Sequence, residues 1–256
     1  MALLIVGAKK RQFLIHEDLL CDRSSYFKGF LQPGRKDIEG DCSICLEDLS
    51  IRDKDMTYCH HCKMNFHYEC MQEWLEQRDH RSRCPLCRSK WVSRNRPSYT
   101  FADLAEEDFA KYHQWVYGGM ISCREVVKKE DSKPLVSLYI FALKVNDEKF
   151  GTAVLHAMLE VYKDTELYPE QGAIAPAYNA GPIAGIHRLQ GFLVETYVVA
   201  AHAHWFEDED WATYPHEFLR DIAVAMFLQH PRKKKWSLDT WKAKLEADND
   251  FAVAEL

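Results

Sequence analysis

CSICLEDLSIRDKDMTYCHHCKMNFHYECMQEWLEQRDHRSRCPLCR, residues 42–88, is the stretch whose reading decides what kind of protein this is. Seven of the nine cysteines fall within it, and only Cys21 and Cys123 lie outside. With one histidine they make four spaced pairs: Cys42-x2-Cys45, Cys59-x2-Cys62, His67-x2-Cys70 and Cys84-x2-Cys87. A two-residue spacer lets a tight knuckle aim two ligand atoms at one metal, and two such pairs complete a tetrahedral site with no open position. Eight ligands therefore predict two structural Zn2+ ions, and in so short a module they supply most of the folding free energy, about 10–16 kcal/mol per ion. His60 and His61 flank the third ligand, and either could stand in for Cys59 or Cys62.

Around this stretch the chain is ordinary. Of its 256 residues 47% are apolar and 28% charged, as in globular proteins, and the length allows one large or two small domains. A net charge of −6 argues against nucleic acid as the main partner, and no apolar run is long enough for a membrane helix. The apolar start Met1 to Gly7 precedes Lys9, Lys10 and Arg11, the reverse of a secretory signal, so none is expected. Clustered cysteine pairs without such a signal read as metal ligands in a reducing compartment, so the expected location is intracellular, cytoplasm or nucleus.

The flanking segments differ in character. Leu3 to Val6 and Gln12 to Ile15 read as strands, Glu17 to Leu20 as a helix, and Ser24-Ser25 as the cap of a second short helix that Pro33-Gly34 breaks. Beyond Arg94, Asn95, Arg96 and Pro97 comes a strand candidate, Tyr99 to Phe101. The pattern then turns helical: Glu106 to Tyr117 stopped by Gly118-Gly119, a helix started by Asp131, Ser132 and Pro134, and one capped by Asp147. Further amphipathic helices fit residues 182–205, 215–229 and 238–247.

Three pieces of the cysteine-rich stretch resemble the RING finger of ubiquitin ligases: Cys42-Ser43-Ile44-Cys45, the Phe66-His67-x2-Cys70-x3-Trp74-Leu75 run, and Cys84-Pro85-Leu86-Cys87-Arg88. The resemblance implies cross-bracing, with Cys42, Cys45, His67 and Cys70 around one zinc and Cys59, Cys62, Cys84 and Cys87 around the other. It departs from the commonest form at Met64, which holds the usual histidine position and is a poor zinc ligand. What it implies functionally is a surface for a ubiquitin-conjugating enzyme, made by Ile44, Trp74, Pro85 and Leu86. Arg88 would be the linchpin cation, contacting the conjugating enzyme and ubiquitin together and acting by positioning. The same ligand order occurs in histone-reading PHD fingers, but Ser82 stands where those carry an aromatic residue, and Pro85 and Trp74 belong to the RING pattern.

The segment LLIVGAKKRQFLIHEDLLCDRSSYFKGFL resembles the opening of a BTB/POZ domain, and YTFADLAEEDFAKYHQWVYGGMI resembles its continuation on the far side of the zinc module. The tail, with LVETYVVAAHAHW and YPHEFLRDIAVAMF, is similar to the helical extension of fungal BTB proteins. The implied class is α+β: a mainly helical BTB/POZ-like domain with a small N-terminal sheet, split as residues 1–36 and 95–165. The RING module, 40–91, is its insertion and 166–256 a C-terminal helical extension. Insertion at an exposed loop is tolerated when entry and exit are close. The implied role is a ligase whose BTB part docks a protein substrate or partner, with homodimerisation or cullin docking as family options. A non-enzymatic interaction scaffold with a structural zinc module is the alternative.

Other features carry less. His202 and His204, two apart on a helix, face different ways. Arg232, Lys233, Lys234 and Lys235 read as a solvated turn or an import patch, and Cys21 and Cys123 as buried thiols.

Overall fold

The computed structural model describes residues 1–51, 53–77, 82–92, 97–123, 132–165, 169–200 and 213–229. Strands β1 (Ala2–Val6) and β2 (Arg11–Ile15) form an antiparallel hairpin in which alternate β1 side chains are buried, as the period of two requires. Its turn needs Gly7. The residue sits at φ +75°, and a Cβ there would lie 2.2 Å from Glu106 Cγ, whose carboxylate accepts the Lys9 N–H.

Helices α1 (Glu17–Arg23) and α2 (Ser25–Leu31) follow. Ser24 caps α2: its Oγ accepts the Phe27 N–H at 3.2 Å and donates to the carbonyl of distant Val145. After Gly34 the chain enters the zinc module, with strands β3 (Met56–Tyr58) and β4 (Asn65–His67) and helix α3 (Tyr68–Glu76). Strand β5 (Ser98–Phe101) then returns to the first sheet, parallel to β1 with Leu4 opposite Tyr99, giving the order β2-β1-β5. A parallel neighbour demands a long crossover. Here that crossover contains α1, α2 and the whole zinc module.

The rest is helical: α4 (Glu106–Gly118), α5 (Lys133–Lys144), α6 (Glu148–Thr165), α7 (Gln171–Asn179), α8 (Ile186–Ala200) and α9 (His216–Gln229). Gly119 ends α4 in the left-handed region, and Asp147 Oδ1 accepts the Phe150 N–H at 2.9 Å to start α6. One hydrophobic core draws on β1, β2, α1, α2, β5 and all six of these helices. Phe27 stands at its centre, its ring against those of Phe101, Phe109 and Tyr112. The zinc module has a second, much smaller core around Leu49, Phe66 and Met71.

A mainly helical chain with a small N-terminal sheet agrees with the expected class. Two features were not anticipated. Helix α7 carries Pro176 in its interior, which reads as a break, but Ala173, Ile174 and Ala177 are buried and hold it in place. The β3–β4 hairpin is hidden because each strand is only three residues long, too short for a hydrophobic alternation to show, and the ligands Cys59 and Cys62 fill the connection between them. The expected helix at 238–247, the histidines His202 and His204, the basic run Arg232 to Lys235, the junction residues Arg94, Asn95 and Arg96, and the helix start at Asp131 lie outside the described residues. Among the described residues no helix is long and apolar enough to cross a membrane.

Candidate metal centre

Three of the four ligand pairs sit in knuckles of one design. In each, the residue after the second cysteine adopts a left-handed backbone: Leu46 at φ 63°, Lys63 at 63° and Arg88 at 60°. Each of these residues donates its N–H back to the carbonyl of the first cysteine, Leu46 to Cys42 and Lys63 to Cys59 at 2.8 Å, Arg88 to Cys84 at 3.0 Å. The first cysteine in turn donates to the carbonyl five residues on: Cys42 to Glu47, Cys59 to Met64 and Cys84 to Ser89. The turn aims both sulfurs to one side. A non-glycine residue in this region costs about 1–2 kcal/mol, which a metal site must offset. The fourth pair is built differently: His67 ends β4 as the residue before α3, and Cys70 lies in the first turn of that helix.

The pairs combine crosswise. Cys42, Cys45, His67 and Cys70 bring their ligand atoms within 4.8 Å of one another, and so do Cys59, Cys62, Cys84 and Cys87. Sulfurs on a tetrahedral zinc at 2.3 Å should stand about 3.8 Å apart, and a sulfur and an imidazole nitrogen about 3.6 Å. The observed separations are 3.7 Å for Cys59–Cys87 and 3.8 Å for Cys62–Cys84. His67 Nδ1 lies 3.3 Å from Cys45 Sγ and 3.8 Å from Cys70 Sγ. These distances fit two zinc ions and are far too long for disulfides. The His67 Nε2–H donates to the Asp48 carbonyl at 3.1 Å, which fixes the tautomer and leaves Nδ1 for the metal.

Burial, and after it the neighbouring sulfurs, push the Cys70 and Cys84 thiols up to about 12, while hydrogen bonds from Ser89 bring Cys87 down to about 5. Sulfurs packed this way ionise together only around a dication. Neither His60 nor His61 belongs to a cluster: His60 packs its ring 4.9 Å from that of Tyr58, and His61 is exposed. Met64, at the position where a histidine is usual, packs against the module's small core. Of the two cysteines outside the module, Cys21 is buried in α1 and Cys123 half-buried.

The remaining site residues expected from sequence lie on the first and last knuckles and on α3. Ile44 and Trp74 pack partly against the small core, and the Trp74 indole N–H donates to the Arg83 carbonyl at 2.9 Å, tying α3 to the last knuckle. Pro85 is half-buried, Leu86 is 47% exposed and Arg88 is exposed. Leu46, 76% exposed on the first knuckle, was not singled out by the sequence. Nor was Arg35, which is buried at the entry to the module. Nothing in the sequence around Pro33-Gly34 marks that arginine.

With four protein ligands each, the two sites are coordinatively closed, so their zinc ions hold the module's shape and leave no position for a substrate. Comparison with known proteins agrees with this geometry. Residues 40–88 match the family model of the Ring finger domain. Over 46 residues the chain is 39% identical to "Probable E3 ubiquitin-protein ligase RHB1A" of Arabidopsis thaliana, a match covering 18% of this chain and 22% of that protein. The chain thus spans about a fifth of the length of that curated relative. No solved structure matches.

Proposed function

We propose that this protein is a RING-type ubiquitin ligase, recruiting a ubiquitin-conjugating enzyme through its zinc module and a protein substrate or partner through its helical host. The observation that carries the reading is the last knuckle. A closed zinc site leaves Leu86 exposed beside the half-buried Pro85 and sets Arg88, also exposed, in a left-handed turn. Apolar side chains displayed on a metal-held scaffold with so small a core are suited to a partner's surface. In this reading Ile44, Trp74, Pro85 and Leu86 contact the conjugating enzyme. Arg88 hydrogen-bonds that enzyme and ubiquitin together, holding the thioester in a reactive pose without covalent participation. The name of the Arabidopsis relative supports the activity for the module.

For the host, we read residues 1–36 and 95–165 as one BTB/POZ-like domain, with 40–91 inserted and 166–256 as a helical extension. The pairing of β1 with both β2 and β5, across the zinc module, supports it. Self-pairing or cullin docking through this host, and an intracellular location suited to unoxidised ligand cysteines, belong to the same proposal.

The test is discharge of ubiquitin from a panel of purified conjugating enzymes by the zinc-loaded chain. Discharge should depend on zinc and be lost in Arg88→Ala and Leu86→Ala, both exposed. Trp74→Ala should also abolish it, but that change removes the tie to Arg83 as well. A chain that discharges no enzyme of a broad panel refutes the ligase reading and leaves a non-enzymatic scaffold.

A further inference from the structure

We propose that Arg35 is a positioning residue that locks the zinc module in one orientation on its host, so that a recruited conjugating enzyme faces a fixed part of the host; the functional half of this rests on the ligase reading. Arg35 is where the chain leaves the host, its N–H bonded to the Gln32 carbonyl at 3.0 Å after the Pro33-Gly34 turn. Its side chain is only 2% exposed. One arm of the guanidinium donates to the carboxylate of Asp18 on α1, which also accepts the Gln32 amide at 2.7 Å. Another, Nε, donates to Asn65 Oδ1 on β4 at 2.7 Å, and the face lies 4.8 Å over the ring of Tyr58 on β3. Host and module are thus gripped by one rigid, planar group.

The grip falls on a sensitive place. Tyr58 immediately precedes Cys59, and Asn65 lies two residues before His67, so the clamped hairpin carries ligands of both zinc sites. Asn65 also donates its amide to the carbonyls of Lys36 and Asp37, at 3.2 and 3.0 Å, fastening the segment that enters the module to the hairpin. On either side of Arg35 the junction opens into clefts. One, of about 580 Å3, runs between α1 and the stretch Lys54 to Tyr58, and the other, of about 850 Å3, between α1, α2 and Asp48 to Ile51. Arg35 lines both, together with its partner Asp18. Units of one chain that share a small interface move relative to each other by default. A planar fork with acceptors in both units opposes this, and a lysine, a single point charge, cannot reproduce it.

The experiment measures residual dipolar couplings on the isotope-labelled, zinc-loaded full chain, for wild type, Arg35→Met, Arg35→Lys and Asn65→Ala. Met keeps the apolar stem while removing charge and fork. The expected result is one alignment tensor for host and module in the wild type, and separate tensors in all three variants, each still holding two zinc ions. In parallel, Arg35→Met should discharge a conjugating enzyme to free lysine at the wild-type rate, while the lysines modified on the chain itself spread from a confined set over the host surface. A single tensor retained in every variant, or loss of zinc in Arg35→Met, overturns the positioning role. Separate tensors with an unchanged lysine pattern overturn its functional half. A wild-type chain that discharges nothing refutes the ligase reading alone, because the tensors still decide what Arg35 does.

Discussion

Chelating zinc from the intact chain should unfold the module between Gly40 and Trp91 and leave the helical host standing. Apart from metal ligands, the module's small core buries Leu49, Phe66 and Met71. At about 1.5–3 kcal/mol per side chain their burial contributes roughly 5–9 kcal/mol. Two zinc ions contribute about 20–32 kcal/mol, so without them the module has no means to offset its chain entropy. The host then carries a disordered loop of roughly 60 residues between α2 and β5, whose closure costs about 3–4 kcal/mol. That is less than the 5–15 kcal/mol typical of a domain, and corresponds to a fall in the host's Tm on the order of 10 °C. Hydrogen exchange read by mass spectrometry, before and after a strong chelator, separates the two units. Peptides from the module should exchange fully, while those containing β1, β5 and α5 stay protected. If β1 and β5 lose protection in the same phase as zinc release, the host core depends on the module and the reasoning fails.

Other perturbations test individual contacts. Cys62→Ser should lower the zinc content from two ions to one, measured by metal analysis, whereas Met64→Ala should leave both bound, since Met64 contributes packing and not a ligand. Ser24→Ala removes the α2 cap and the tie to the Val145 carbonyl together, so the host should lose about 1–3 kcal/mol by chemical denaturation. Asp147→Ala strips the α6 cap and orphans the buried Tyr112 hydroxyl, which donates to Asp147 Oδ2 at 3.0 Å; a loss of about 2–4 kcal/mol should follow. Burial raises the Asp147 pKa above its ordinary value. Its contribution is therefore fullest below the unfolded pKa of about 3.9 and declines as pH rises through the higher folded value. Asp147→Asn should flatten that part of the host's stability–pH curve, read from near-ultraviolet circular dichroism.

The sequence by itself determined the zinc module. Ligand spacing is a local property, and Cys-x2-Cys states its chemistry in four residues, so the eight ligands were legible without coordinates. Helix ends written in glycine, serine and aspartate, at Gly119, Ser24 and Asp147, were legible for the same reason: each acts on its own neighbours. Distance in the chain hid the rest. Which pair joins which across a zinc was supplied by resemblance, because spacing alone does not say that Cys42 and Cys45 meet His67 and Cys70. The left-handed turns at Leu46, Lys63 and Arg88 occupy residue types that disfavour them, so no glycine in the sequence marks them. Arg35 looked like any cation beside a turn. It becomes a junction residue only when β5 pairs with β1, the module folds out between them, and Asp18 and Asn65 arrive on either side of one buried guanidinium.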